Sequence, residues 1–514
     1  MDTSVKHDRP ASPDAASAPL VADPRRRLLV FLTLMTAMFM ATLDNQIVAT
    51  ALPTIVGEFG ALERFGWVGS AYLLASSAVM PIYGKLGDLF GRKYVIMAAV
   101  TIFTLGSLVC GLAVSMNTLI AARVLQALGG GGIMVSIFSV NADLFAPRER
   151  ARYQSYSSLV LMMSGAIGPV LGGTLSDLFG WRSIFLVNLP IGIAVLILLA
   201  ILLPYRRPQR RPKIDYPGAL LLAGAIASIV LWADSGQIFG SLVAPGSLAI
   251  VGVGLACLVA WVFVERRAAE PVVPLSLFAS PTFSLMLVVA MTSGAVGIGL
   301  VNYTALFLQT TTGLSPALAG LMFVATTGGI ALGSLTAGRL ISRSGRYKIF
   351  SVVSAATLVL AMLLFSRLGE GTPLVIIGCV MLLQGIGVGV GQQGPVIGVQ
   401  NASRVDDVGA ATGAVTLTRI AGASLGISIY NAIVSAGIAG QGLKIPGVEN
   451  VEQLTPKALA ALDPQVRQAV AEAYAAAFHP MYLASAGICL VGLLASISLK
   501  NTLLPTHKAP TAKS

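Results

Sequence analysis

The sequence predicts an all-α polytopic membrane protein, and three of its properties lead to this prediction. Of the 514 residues 55% are hydrophobic and only 11% are charged, whereas a soluble protein carries roughly a quarter charged residues. Apolar segments of roughly 20 residues recur between short polar breaks, and that length crosses a bilayer as a helix. The 55 glycines suit membrane helices, where small residues allow close packing.

Fourteen membrane spans are predicted, in an arrangement of six plus two plus six. They lie near 28–50, 66–86, 94–114, 118–142, 153–175, 183–203, 216–236, 245–264, 282–308, 317–338, 349–366, 373–397, 409–436 and 480–499. A disordered cytoplasmic tail is predicted over 1–27 and a six-helix bundle over 28–205. A linker with two additional helices follows over 206–280, then a second six-helix bundle over 281–500 and a cytoplasmic tail over 501–514.

The positive charge lies mainly on one side of the predicted spans. A net charge of +12 would suit nucleic acid, but about 26 of the 34 Lys and Arg residues fall on one side and about six on the other. This bias is typical of cytoplasmic loops beside anionic lipid headgroups. The distribution argues against a nucleic-acid partner and predicts a cell inner (plasma) membrane protein with both termini in the cytoplasm.

One long loop, 437–479, is predicted on the extracytoplasmic side. Within it, apolar residues at i, i+4 spacing predict a short helix from Val466 to Phe478. A helix lying on the outer membrane surface is the simpler interpretation, and a lid over an exit path is the alternative.

Two charged residues inside predicted spans are candidates for ion coupling, because charge in a bilayer is costly. Asp44 in the first span and Arg123 in the fourth both lie about 8 to 9 Å below the outer boundary, at roughly 1.5 Å per residue. No histidine lies in a span, so a carboxylate is the best proton carrier available there. We expect protonation of Asp44 to release Arg123, so that the two residues form an element with two states. The alternative is a structural Asp that stays paired with a cation permanently.

Several uncharged polar residues lie on otherwise apolar predicted helices. They either line a substrate cavity or bond neighbouring helices together, and the sequence does not distinguish these roles. The candidates for the cavity are Asn45, Gln46, Asn302, Tyr303, Gln309, Gln384 and Gln400.

Motifs for catalysis are missing from the sequence. No phosphate-binding G-x-x-x-x-G-K-[ST] and no zinc-binding H-E-x-x-H occurs. The run 422–426 matches G-x-S-x-G, but it lies inside the thirteenth predicted span, and none of the three histidines lies in a predicted span. We therefore expect no enzyme activity, no cofactor and no metal site.

The run from Gly165 to Gly173 is the most informative motif of the chain. Gly165, Gly168 and Gly172 fall near one face of the fifth predicted helix, where a neighbouring helix can approach closely. Pro169 removes a backbone donor from the same span. Close packing alone would account for the glycines, but the whole pattern closely resembles the antiporter signature of the major facilitator superfamily.

Further motifs resemble the fourteen-span drug:proton antiporter family of that superfamily, over residues 28–500. They are Leu43–Pro53, Gly84–Lys93, Arg123–Gln126 and Trp181–Gly192. The run Gly338–Tyr347 repeats part of the second motif, as expected for a transporter with related halves. Two departures are Ala127, where the family commonly has glycine, and the lack of acids deep in predicted spans nine to fourteen. The second departure weakens the case for multiply charged cations.

The resemblance implies a major facilitator fold, with two six-helix bundles plus two inserted helices. It implies that Asp44 and Arg123 couple transport to protons. It also implies a cytoplasmic gate formed by Gly84, Asp88, Gly91, Arg92 and Lys93.

The function expected from this resemblance is proton-coupled efflux of drugs and other toxic compounds by alternating access. The expected partners are a small amphipathic substrate, with cationic compounds included, as well as protons and the lipid bilayer. A dedicated exporter of one native metabolite, siderophore or lipid is the alternative. Whether an accessory periplasmic protein takes part is left open.

Overall fold

The computed structural model describes residues 20–21, 23–59, 65–206, 215–239, 243–268, 271–314, 316–404, 407–441 and 464–504. Every regular element in these ranges is helical, so the all-α prediction is confirmed.

Seven helices form the first part of the chain. They are α1 (Pro24–Phe59), α2 (Phe65–Phe90), α3 (Arg92–Gly111), α4 (Met116–Leu144), α5 (Pro147–Phe179), α6 (Ser183–Leu186) and α7 (Asn188–Leu202). The predicted sixth span is thus interrupted at Val187, between α6 and α7. Their buried side chains form a core that runs from Val30 to Leu203.

The inserted pair and the second bundle follow. They comprise α8 (Tyr216–Phe239), α9 (Pro245–Glu265), a 3-10 turn (Leu275–Ala279), α10 (Pro281–Gly297), α11 (Val301–Thr310), α12 (Pro316–Ser344), α13 (Lys348–Phe365), α14 (Leu374–Gly391), α15 (Gly394–Ala402), α16 (Val408–Gly440) and α17 (Pro464–Ser498). Helices α8 and α9 pack on each other, and α8 also contacts α2 and α16, one from each bundle.

The membrane character of the described helices agrees with the prediction, but the count of fourteen spans stays a prediction. Within the described ranges, ten helical stretches are long and apolar enough to cross a bilayer. Two shorter apolar helices, Tyr216–Ile229 and Pro281–Gly297, fall below that length. The protein therefore crosses the membrane several times.

Two further predicted spans, besides the sixth, are not continuous helices. The ninth is interrupted between Gly297 and Val301, where the amide of Gly299 bonds back to the carbonyl of Gly294 at 3.2 Å. The twelfth is interrupted at Gln392 and Gln393, and its second part continues to Ala402. Such breaks are tolerated at membrane depth where other helices surround the backbone.

The predicted loop at 437–479 is shorter than expected, because α16 reaches Gly440 and α17 starts at Pro464. The helix predicted over 466–478 forms, but it is the first part of α17 and runs on through Pro480 to Ser498.

The apolar face of this first part of α17 packs inside the second bundle. Val470, Tyr474 and Phe478 are buried, and the Phe478 ring meets the Phe307 ring edge-on with centroids 5.5 Å apart. Three large apolar side chains on one face are better buried against a protein core than left at a polar surface. The expectation of a separate surface helix is therefore wrong.

Glycines set the distance between neighbouring helices inside each bundle. A Cβ on Gly129 of α4 would overlap the backbone of Phe103 in α3, and one on Gly385 of α14 would overlap the backbone of Thr326 in α12. Glycine is thus required for the close approach of these helix pairs.

Replacing Gly385 by Ala should destabilise the second bundle, because the new methyl group overlaps α12 backbone that cannot rotate away. We expect a loss of about 1–3 kcal/mol, typical of overpacking, seen as a lower melting temperature of the detergent-solubilised protein. Gly378→Ala is the matched control on the same helix, since the nearest atom, Met322 Cε, would lie 3.6 Å away. Equal melting temperatures for the two variants would contradict this packing.

Candidate functional site

A buried ion pair joins α1 and α4 in the core of the first bundle. Arg123 Nη1 donates to Asp44 Oδ2 at 2.5 Å, and the two side chains are 1% and 0% exposed. The two residues that were predicted to share a depth therefore touch. A pair this deeply buried is retained only when further hydrogen bonds satisfy its other polar atoms.

Three polar residues supply those bonds. The second carboxylate oxygen of Asp44 accepts from Gln126 Nε2 and from Asn188 Nδ2, each at 2.8 Å. Gln126 Oε1 accepts from Arg123 Nη1 at 2.6 Å, and its amide also donates to Ser107 Oγ. Helices α1, α3, α4 and α7 thus meet around one carboxylate.

Arg123 also contacts residues outside this network. Its guanidinium lies 4.3 Å from the centroid of the Tyr72 ring, and Nη2 donates to Asn45 Oδ1 at 3.3 Å. Asn45 is exposed, whereas Arg123 Nε is buried and has no hydrogen-bond partner among the described residues. Arg123 therefore reaches from the buried carboxylate to a polar residue at the bundle surface.

A second charged cluster connects the two bundles. Asp88 at the end of α2 accepts from the amides of Gly409 and Ala410, at 3.2 and 3.1 Å, and forms an ion pair with Arg92 at 2.5 Å. Because those amides belong to the first turn of α16, Asp88 caps a helix of the opposite bundle. We call the end of the molecule at which Asp88 and Arg92 contact the start of α16 the basic end.

The neighbouring residues of the predicted gate surround this contact. Gly84 packs so closely on Gly409 that a Cβ on either would overlap the other's carbonyl group. Gly91 has a φ of +92°, which only glycine adopts without strain, and lets the chain turn directly into α3. Lys93 donates to the carbonyl of Ala200 at 2.6 Å. The five predicted gate residues therefore lie together at one end of the bundle.

The bundles also meet through α5 at the same end. Ser158 Oγ donates to Ser334 Oγ at 2.7 Å, and Arg150 Nη1 donates to Gln400 Oε1 at 2.8 Å. Gln400 is thus part of the contact between the bundles, which is the second of the two roles that the sequence left open for it; the α14–α15 interruption places it beside α5.

The glycines of the antiporter motif differ in how closely other helices pack against them. Gly168 lies against α1, where an added Cβ would collide with Gln46 Cβ, and Gly172 is buried. Gly165 and Gly173 have no other atoms within 4 Å of an added Cβ. The second half of α5 therefore packs on α1 through Gly168 and leaves space at Gly165 and Gly173. The side chain of Pro169 lies outside the described residues.

The remaining cavity candidates are spread over both bundles. Tyr303 donates its hydroxyl to the carbonyl of Ile427 at 3.2 Å, which makes it a bond between helices. Gln384 is buried, Gln309 is half-buried, and the side chain of Asn302 lies outside the described residues. Gln46 is exposed beside Gly168. The structure does not bring these residues into one site.

A third cluster ties the end of α1 to the turn between α5 and α6, opposite the basic end. Glu58 accepts from Trp181 Nε1 at 2.6 Å and from Arg182 Nη1 at 2.9 Å. The Arg182 hydrogen bond, with that of Trp181, lowers the pKa of Glu58 below its usual 4.5.

Sequence reasoning named Asp44 and Arg123 but not Asn188, Ser107 or Gln126 as site residues. Gln126 stands three residues after Arg123, on the same helix face, which is a signal that could have identified it. Asn188 lies in the run Trp181–Gly192, but only the packing of α7 on α1 and α3 brings it to the carboxylate.

The fold is that of a multi-pass α-helical membrane protein, and its relatives identify it as a transporter. The sequence model of the Major Facilitator Superfamily matches residues 34–427, and the chain belongs to this superfamily. An uncharacterized MFS-type transporter of Mycobacterium tuberculosis is 33% identical over 496 residues, which cover 94% of this chain and 71% of the relative. Multidrug resistance protein 3 of Bacillus subtilis is 30% identical over 412 residues, or 79% of each chain.

A solved structure agrees on the fold. The crystal structure of the human organic anion transporter MFSD10 aligns with a TM-score of 0.63 at 16% identity, over 92% of this chain and 100% of the other. With the family match, the sequence relatives support an efflux transporter of this superfamily.

Replacing Asp88 by Ala should open the basic end. The change leaves two α16 amides without their acceptor and leaves Arg92 with Asp143 as its remaining carboxylate partner. Hydrogen bonds to a charged group contribute about 1.5–3 kcal/mol each. We expect the labelling rate of a cysteine at Ser158, in a background without the four native cysteines, to rise about tenfold or more. Ser342→Ala, at the matching position of the second motif copy, is the control and should leave the rate unchanged. Unchanged labelling in Asp88→Ala would contradict the gate.

The Glu58 cluster predicts an acid-sensitive contribution to stability. Since its folded-state pKa is lowered, the contribution is present above pH 4.5 and is lost as pH falls through the lowered value. The melting temperature of Glu58→Gln should lie below that of the wild type at neutral pH, and the gap should narrow on acidification. Glu472→Gln, an exposed acid on α17, should show no such gap. A gap that is constant with pH would refute this assignment.

Proposed function

We propose that this chain is a proton-coupled efflux antiporter for small amphipathic compounds, working by alternating access in an inner or plasma membrane. The observation that carries the proposal is the ion pair of Asp44 and Arg123. It is fully buried, it has an ordered set of donors, and Arg123 links it to the exposed Asn45. Ionisable residues inside membrane helices mark ion pathways more often than they serve packing.

The coupling step in this proposal is protonation of Asp44. In the ion-paired form the carboxylate neutralises Arg123 and accepts from Gln126 and Asn188. A proton on the carboxylate removes that counter-charge, and a buried cation without a partner is strongly unfavourable. Arg123 then shifts towards Asn45 and more polar surroundings. The first bundle thus has two arrangements that differ by one proton, which is what coupling requires.

Alternating access requires that the two ends of the protein open in turn. The bundles contact each other through Asp88, Arg150 and Ser158, which all lie towards the basic end. With that end in the cytoplasm, as its positive charge favours, this arrangement corresponds to a state closed to the cytoplasm. Rocking of one bundle on the other would break these contacts and open the cytoplasmic side.

The substrate class rests on the relatives and on the second bundle. Relatives named multidrug resistance and multidrug transporter proteins favour compounds of varied structure. The core of the second bundle is built from aromatic and aliphatic side chains. An apolar bundle of this kind suits amphipathic molecules bound mainly through apolar contacts.

Replacing Asp44 by Asn removes the titratable proton and keeps the size of the side chain. In proteoliposomes that carry a luminal pH-sensitive dye, we expect substrate-dependent proton movement to fall to the level of protein-free vesicles. Glu472→Gln removes an exposed acid hydrogen-bonded to Gln468 and should keep full coupling.

Two outcomes would reject parts of this proposal. Unchanged proton movement in Asp44→Asn would remove Asp44 from the mechanism. Uphill transport at full rate after both the pH difference and the voltage are collapsed would exclude proton drive altogether. A panel of unrelated toxic compounds in a pump-deficient host separates broad efflux from export of one native compound, because only broad efflux protects against most of the panel.

A further inference from the structure

Two carboxyl groups meet at one end of the inserted helix pair, apart from the Asp44 network. Asp215 precedes α8 and caps it, since its Oδ1 accepts from the amide of Gly218 at 2.9 Å. Glu265 ends α9, and its Oε1 accepts from the amide of Val273 at 2.6 Å. Glu265 is 3% exposed, so its charge is removed from water almost completely.

The second oxygen of each carboxyl group has no donor. Asp215 Oδ2 and Glu265 Oε2 are buried and have no hydrogen-bond partner in the described part of the chain. Both border Gly218, where an added Cβ would collide with Asp215 Oδ2 and lie 3.0 Å from Glu265 Oε2. Two ionised carboxylates only accept hydrogen bonds, so oxygens that face each other in this way need a hydrogen between them.

Charge balance also favours one proton on this pair. Lys85 of α2 is 4% exposed and acts electrostatically on Glu265. One lysine offsets at most one negative charge, so the pair with one proton leaves less uncompensated buried charge than the fully ionised pair. Other ionisable groups lie on or directly beside α9, α2 and α16; they are Asp88, Arg92, Arg266, Arg267, Asp407 and Arg419.

We propose that Asp215 and Glu265 share one proton and form a second proton-binding site of this protein. The site touches both bundles. Lys85 directly follows Gly84, which packs on Gly409 of α16, and Glu265 holds Val273, just before the turn that leads into α10. Movement of α2 away from α16 shifts Lys85 and admits water to the pair, and the shared proton then passes to that water.

This proposal does not depend on proton coupling at Asp44, and the test separates the two. The full chain in lipid nanodiscs is measured by infrared spectroscopy at neutral pH, in H2O and in D2O, to find the C=O stretching band of a protonated carboxyl group. We expect the wild type to show this band and both Glu265→Gln and Asp215→Asn to lack it. Asn and Gln keep the capping oxygens, so both variants should fold.

Two matched variants complete the test. Asp44→Asn and Glu149→Gln, the latter an exposed acid near the start of α5, should keep the band. A wild type without the band, or a band that survives in both Glu265→Gln and Asp215→Asn, would overturn the proposal. Loss of the band in Asp44→Asn alone would also overturn it, since the proton would then belong to Asp44.

Thermal unfolding gives a second readout that does not depend on assigning a band. The wild type should lose stability as pH rises and the shared proton leaves, because two negative charges then face each other. Glu265→Gln supplies a permanent amide donor and should lack that alkaline loss, while Glu149→Gln should retain it. An identical alkaline loss in wild type and Glu265→Gln would overturn the proposal.

Discussion

The first bundle is organised around a guanidinium group that water does not reach. Arg123 is among the largest fully buried side chains of the protein, and its charge requires both a carboxylate and further polar groups. Those groups come from α1, α3, α4 and α7, so four helices are fixed relative to one another by a single charge pair. Removal of one partner of such a pair costs about 3–5 kcal/mol, and a change of its protonation therefore has enough energy to move helices.

The second bundle depends mainly on apolar contacts. Its core is held by stacked and edge-on rings, such as Phe365 against Tyr482 with centroids 4.9 Å apart. Aromatic contacts of this kind adjust over short distances, whereas a buried ion pair has few alternative arrangements. The two bundles are related in sequence at their gate motifs, but they differ in what stabilises them: charge in the first and apolar packing in the second. This difference favours the first bundle as the place where an ion acts.

Much of this arrangement was predictable, and the errors have physical causes. A rise of 1.5 Å per residue was enough to place Asp44 and Arg123 at one depth, because both helices are continuous. The glycine-rich interruptions at Gly297 and Gln392 were not predicted, since an apolar run has the same composition whether or not its helix is broken. The interruption at Gln392 places Gln400 in the contact between the bundles, a role that the sequence could not distinguish from lining a cavity. Asn188 and Ser107 were missed because their role depends on which faces of α3 and α7 meet, which spacing along one helix does not determine.

The two copies of the gate motif make different contacts, and the difference has a mechanical consequence. In the first copy Asp88 caps α16 across the gap between the bundles, so separation exposes two amides and a charge pair. In the second copy Ser342 stands at the matching position, and the contact relies on Gly338 packed against Ser155 and on Arg148 bound to the carbonyl of Leu504. Packing contacts weaken gradually with distance, whereas a charged cap is lost within a short displacement. Opening of the basic end is therefore limited mainly by the α2–α16 side, which is also the side against which the inserted helices and their carboxyl pair are packed.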